Sequence, residues 1–298
     1  MTKRLSIVAA AAVLAIVPAA LIAGRSGRAG AAFPGANGRI AFAGKHGIYV
    51  TSSKRNGIVK HLAGDRRTRP AWSPNGHRIA FERYGKNGSD IYKMKANGKG
   101  EVLLTRGGAS GFSPTWAPSG EKLAFVRTRA AGEAIFKMRA NGADKRRVTP
   151  KDGSFADSPS WSPDGNRIAY VCEFAHRGAQ ICTIRSDGSR RRVLTDFKEK
   201  SPSRPDFSPD GRRIAFAAGR NRAGSLLHFH LYVMDADGGH RDRITPKHGH
   251  SSLLPSWSPD GTKIAFLRVG RGIMKMRPDG SNPQLIVPDA TYPAWQPK

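Results

Sequence analysis

One phrase, seen most fully as P-S-W-S-P-D-G-T-K-I-A-F from Pro255 to Phe266, returns along almost the whole chain. It reads as strand, turn, strand. Pro255-Ser256-Trp257-Ser258 is extended and carries an indole, Pro259-Asp260-Gly261 supplies turn residues, and Lys263-Ile264-Ala265-Phe266 resumes with β-branched and aromatic side chains two apart. Copies run from Pro70 to Phe81 around Trp72, from Pro114 to Phe125 around Trp116, from Pro159 to Tyr170 around Trp161, and from Pro205 to Phe216, where Phe207 replaces the indole. Such self-similarity outranks any single-residue signal, because each unit is too small to bury its own apolar face and must stack on the next.

The closing aromatic of the phrase falls at Phe42, Phe81, Phe125, Tyr170, Phe216 and Phe266, at intervals of 39, 44, 45, 46 and 50 residues. Each interval has room for four strands. After the aromatic come a variable loop and a third strand, such as Ile91 to Met94 or Ile181 to Ile184. A turn follows at Asn56-Gly57, Asn97-Gly98, Asn141-Gly142, Asp187-Gly188, Asp237-Gly238 and Asp279-Gly280, and then a short fourth strand, as in Val102 to Thr105. Asn-Gly and Asp-Gly suit hairpins because they tolerate positive φ. Four antiparallel strands at this period make a β-propeller blade. The first unit, Asn37 to Phe42, lacks its Pro-x-Trp strand, and the chain finishes on an orphan Pro293-Ala294-Trp295. Pairing the two leaves no open edge and predicts an all-β, six-bladed propeller of four-stranded antiparallel blades, closed by the C-terminal strand.

The units W-S-P-D-G-x-x-I-A-F and I-Y-x-M-x-x-D-G resemble the six-bladed propeller repeats of the TolB family, also called WD-like or PD repeats, over about Gly35 to Lys298. The resemblance implies the fold. It implies less about activity, since similar propellers serve as protein-docking platforms, as substrate gates of prolyl oligopeptidases and as scaffolds of a few lyases. TolB carries an additional α/β domain before its propeller, for which this sequence leaves no room, so the resemblance by itself does not imply a role in the Tol-Pal system.

The formal charge of +28 and the isoelectric point near 11 point to a neighbourhood of polyanions, whether nucleic acid, anionic lipid or cell-wall polymer. The N-terminus chooses among them. Thr2-Lys3-Arg4 precedes an apolar run from Leu5 to Ala23, and Ala29-Gly30-Ala31-Ala32 offers small residues for a signal peptidase ahead of Phe33. Residues 1–32 therefore read as a signal peptide, with an uncleaved anchor as the alternative because about 20 apolar residues span a bilayer. Residues 33–298 read as one propeller domain, still holding 46 basic against 22 acidic residues. The expected location is extracytoplasmic, in the envelope, periplasm or medium. No physiological nucleic-acid partner is expected there, and neither zinc-finger spacing nor helix-turn-helix periodicity is present in the sequence.

In a propeller of this unit both glycine turns of a blade lie on one face, and the variable hairpin loops share the other with the connections into each inner strand. Recognition is expected on the variable-loop face, with Arg66, Arg67, Arg69, Arg204, Arg220 and Arg222 as contributors. The inner strand lines the axis with Ala71, Thr115, Ser160, Asp206, Ser256 and Ala294. Asp206 is the odd member. It can bind a cation or a basic ligand group, or pair with Arg204. On the turn face the residue before each Ile/Leu-Ala-Phe/Tyr triplet is basic in all six units, at Arg39, Arg78, Lys122, Arg167, Arg213 and Lys263. This ring either attracts an anionic ligand or answers local turn carboxylates such as Asp164, Asp210 and Asp260.

His228 and His230 lie two apart on a strand, and His248 and His250 fall in the next connection on the same face, which is a spacing open to zinc, copper or manganese. Cys172 and Cys182 are brought opposite or nearly so by their hairpin and are expected to form a disulfide in an exported chain. The sequence has no G-x-S-x-G elbow and no H-E-x-x-H, and its Asp-Gly pairs each offer one carboxylate where calcium needs six or more oxygens. The reading is a monomeric, non-catalytic platform without a cofactor, binding a protein or an anionic envelope polymer. The alternative is a metal-dependent, lyase-like enzyme acting on an acidic polysaccharide through the histidine sector.

Overall fold

The computed structural model describes residues 33–298 apart from 53–56, 87, 107, 108, 130, 131, 199 and 221–227. The expected signal peptide or anchor, Asn56 and Arg222 lie outside the described residues, and of Arg220 only the backbone is described. Among the described residues no helix is long and apolar enough to cross a membrane.

Six four-stranded antiparallel sheets follow one another around an axis. Blade 1 joins Thr291–Pro297 to Asn37–Gly44, then Gly47–Thr51 and Lys60–Ala63. Its register pairs Ile40 with Trp295 and Ala41 with Ala294, so the two ends of the chain close the ring as expected. Blades 2 to 6 begin on the inner strands Arg67–Trp72, Gly111–Trp116, Phe155–Trp161, Lys200–Phe207 and Ser252–Trp257. The apolar cores lie between neighbouring sheets. One cluster joins Ala217 and Phe229 of blade 5 to Trp257 and Phe266 of blade 6, and another joins Ile48 and Val50 of blade 1 to Trp72 and Phe81 of blade 2. Burial of this kind, about 25 cal/mol for each Å² of apolar surface, is what makes each blade depend on the next.

The turn chemistry explains the repeated S-P-D-G. Ser162 Oγ donates to the Asp164 carboxylate and accepts the Arg167 amide at 2.9 Å, while Asp164 accepts the Asn166 amide at 3.0 Å. The same bonds recur at Ser208 with Asp210 and at Ser258 with Asp260. At the second turn, glycine is required twice over. Gly142 has φ of 89°, and a Cβ there would sit 2.7 Å from the Leu104 carbonyl oxygen of the preceding blade.

A feature the sequence did not announce sits in every inner strand. The residue before the proline has positive φ in all six blades: Arg69, Ser113, Ser158, Arg204, Leu254 and Tyr292, between 55° and 60°. In blades 2 to 6 the pairing slips by one residue at this point, as between Asp157 and Ser160, which marks a β-bulge. Proline is the natural follower: it has no N–H to leave unpaired where the ladder is interrupted, and it steers the preceding residue out of the right-handed helical region.

Candidate functional site

At the bulge the pre-proline side chains of blades 2, 5 and 1 meet at the axis. Blades 2 and 5 face each other across it and contribute Arg69 and Arg204, only 2% and 3% exposed. Both guanidiniums lie against the ring of Tyr292 from the closing strand, 5.9 and 5.3 Å from its centre. Arg69 is ion-paired with the buried carboxylate of Glu82. Burial raises the Tyr84 phenol well above its ordinary range, against the pull of Arg69. The variable-loop end of the axis is thus filled by an Arg-Tyr-Arg stack.

One level further in, Asp206 is fully buried. Its Oδ1 accepts the Ser160 hydroxyl of blade 4 at 3.2 Å, and its Oδ2 accepts the Trp257 amide of blade 6 at 2.8 Å. The carboxylate therefore ties three successive inner strands together.

The arginines expected on the variable-loop face divide by environment. Arg66 is exposed. Arg67 bonds Glu101 at 2.9 Å, and Arg83 reaches the other oxygen of the same carboxylate at 2.8 Å. Arg69 and Arg204 belong to the axial stack.

On the turn face three members of the basic ring have a partner the sequence reading did not supply. Arg39 lies over Trp72, Arg167 over Phe207 and Arg213 over Trp257, at 5.6, 5.6 and 4.8 Å from the ring centres. Each base caps the aromatic of the next blade, a contact worth about 0.5–1 kcal/mol at exposed sites. The turn carboxylates are meanwhile engaged by their own serines and amides.

His228 and His230 are brought together, with ring centres 4.7 Å apart. Burial first, and then the neighbouring His228, holds His230 down to about 4. His248 and His250 stand exposed in their connection. Among the described residues no three His, Cys, Asp or Glu side chains converge as a metal-binding group. Cys172 and Cys182 form a disulfide inside blade 4, with Cα atoms 5.8 Å apart. They are diagonal rather than opposite, since Cys172 faces Gln180 and Cys182 faces Tyr170.

Comparison with family models matches residues 42–158 and 154–297 to the TolB beta propeller domain, PD40. The chain belongs to the TolB β-propeller family. TolB from Acinetobacter baumannii superposes with a TM-score of 0.72 at 23% identity, over 88% of this chain and 67% of that one. A putative TolB from Agrobacterium tumefaciens gives 0.67 at 21% identity, over 87% and 91%. An oligogalacturonate lyase in complex with manganese gives 0.53 at 13% identity, over 86% and 73%. At these identities the likeness is one of fold. Comparison with curated protein sequences finds no significant match.

Within this TolB-type propeller the residues that sequence reasoning missed are Tyr292 and Glu82, which complete the axial stack. The available signal was positional: Tyr292 stands before Pro293 as Arg69 stands before Pro70 and Arg204 before Pro205.

Proposed function

We propose that this protein is an extracytoplasmic, non-catalytic docking platform whose variable-loop face binds a protein or an anionic component of the cell envelope. The observation that carries the reading is the charge on a closed toroid: residues 33–298 hold 46 Lys and Arg against 22 Asp and Glu, a surplus far larger than the interior pairs absorb. A field of that sign recruits anionic partners and accelerates their encounter. The Cys172–Cys182 disulfide supports an oxidising compartment.

With Arg69 and Arg204 engaged at the axis, the accessible cations of this face include Lys45, Arg66 and Arg271, on loops of the adjoining blades 6, 1 and 2. The test is capture from an envelope extract at physiological salt, with the parent chain and a Lys45→Glu, Arg66→Glu, Arg271→Glu variant. The parent should retain a partner that the variant loses. Equal capture by both would reject this face as the contact surface. Metal analysis of protein purified without chelators separates the enzymatic alternative, because a metal-dependent lyase would carry a transition metal in stoichiometric amount.

A further inference from the structure

In blades 2 to 5 the base that starts the second strand stands across from the last residue of the third. In blade 2 Arg78 faces Lys95, in blade 3 Lys122 faces Arg139, and in blade 4 Arg167 faces Arg185. Like charges placed directly opposite destabilise a sheet. Blade 5 shows that the fold has another solution, for there Arg213 faces Asp235. Three successive blades keep an unfavourable pairing that one substitution would relieve, and such local conflict is what a functional surface retains.

The pairs form one arc. Lys93 Nζ reaches from blade 2 to the Ala140 carbonyl of blade 3 at 2.7 Å, and Lys137 Nζ reaches from blade 3 to the Ser186 carbonyl of blade 4 at 2.8 Å. Five of the six paired cations are exposed, and Arg167 is half-buried over Phe207. The turn aspartates within the arc are hydrogen-bonded to Arg146 (Asp144), to Ser162 and the Asn166 amide (Asp164) and to the Ser189 amide (Asp187). They also feel the arc's charge, Asp144 that of Arg139 and Lys122, Asp164 that of Arg167 and Asp187 that of Arg185 and Lys137, so that three turn carboxylates answer a larger number of cations. Burial and then the Arg78 charge lower the Lys93 ammonium, consistent with a surplus of positive charge along the arc.

We infer that the turn face of blades 2 to 4 is a docking surface for a linear polymer of phosphates. The inference rests on the docking reading above for its compartment, and adds a face and a ligand class that the reading leaves open. Guanidinium forks match phosphate oxygens, and ammonium groups add point charges between them. A sugar-acid polymer would call for exposed aromatic faces on which its rings could stack. Among the described residues the large exposed apolar side chains are Ile58, Val59, Val102, Val193 and Leu285, all aliphatic. A row of cations running across three blade edges suits an extended chain.

The test titrates inorganic linear polyphosphate against the full chain at about 0.15 M salt, where the screening length is about 8 Å. The arc variant is Lys95→Glu, Arg139→Glu, Arg185→Glu, and the control is Lys45→Glu, Arg66→Glu, Arg271→Glu, with the same change in net charge. The arc variant should lose at least about tenfold in affinity and show a shallower salt dependence, while the control loses less than about threefold. The arc variant should also melt above the parent, since each new carboxylate faces a base. Should it instead fail to fold, the Gln versions at the same three positions replace it. Equal losses in both variants would overturn the inference, as would absence of parent binding, or tighter binding to polygalacturonate or to phosphatidylglycerol vesicles than to polyphosphate. If envelope capture is lost only in the control while polyphosphate binding is lost only in the arc variant, both readings stand. Capture without polyphosphate binding rejects the arc alone.

Discussion

The Asp206 carboxylate accepts the Trp257 backbone amide at 2.8 Å, so one buried side chain of blade 5 holds the inner strand of blade 6. Because the other oxygen holds Ser160 of blade 4, truncation strands two buried donors at once. Asp206→Ala should lower unfolding stability by about 3 kcal/mol in urea titrations, the scale on which buried donors lose a charged acceptor. Asp206→Asn keeps one carbonyl acceptor and should cost about half as much. Equal costs for the two variants would mean that the carboxylate is not the tie described.

Tyr292 should behave as the latch of the ring. Tyr292→Ala removes the surface against which Arg69 and Arg204 pack and is expected to cost about 3 kcal/mol, whereas Tyr292→Phe keeps the ring face, loses only the phenol's hydrogen bond with the buried Arg69 and should cost about 1–2 kcal/mol. Thermal melting of the two variants beside the parent checks the order.

The disulfide closes a short hairpin, with a separation of 10 residues between Cys172 and Cys182. Loop-closure entropy then predicts that reduction, or a Cys172→Ser, Cys182→Ser double variant, lowers stability by about 2–3 kcal/mol. Thiol titration of the unreduced, denatured protein should find no free thiol.

His230 is held down to about 4 from an ordinary value of 6.5 by burial and then by His228. The unfolded chain binds the proton more tightly than the folded one, so this group's contribution to stability is complete above about pH 6.5 and declines as pH falls toward 4. The imidazole remains partly open to solvent, which reduces the effect to the order of 1 kcal/mol. A His230→Gln variant should flatten the melting temperature across that interval. An unchanged pH profile would remove the assigned role.

The architecture was legible because it is periodic. Six copies of a strand-turn-strand phrase with an orphan Pro293-Ala294-Trp295 leave one economical way to bury every apolar face, and Ile40 indeed pairs with Trp295. The disulfide was legible for a local reason, since a hairpin sets the approach of Cys172 and Cys182 whatever the rest of the ring does. The expectation was a pair opposite or nearly so, and the register that faces Cys172 with Gln180 makes it the diagonal one.

The candidate site was far less legible. Arg69 and Arg204 looked like loop-face cations, because nothing within their own segments reveals the positive φ that turns them onto Tyr292. The basic ring read as free charge or as a set of turn ion pairs, and only the stacking of successive blades placed Arg213 over Trp257.

By itself the sequence determined the blade, its count, its turns and the closing pair, since these depend on hydrophobic periodicity and on short-range turn chemistry. The tertiary structure alone decided which cations are consumed and which face outward. Partners such as Arg204 and Tyr292, or Asp206 and Trp257, are set by the curvature of the ring, which brings residues of different blades within a few ångströms through geometry that no single repeat contains.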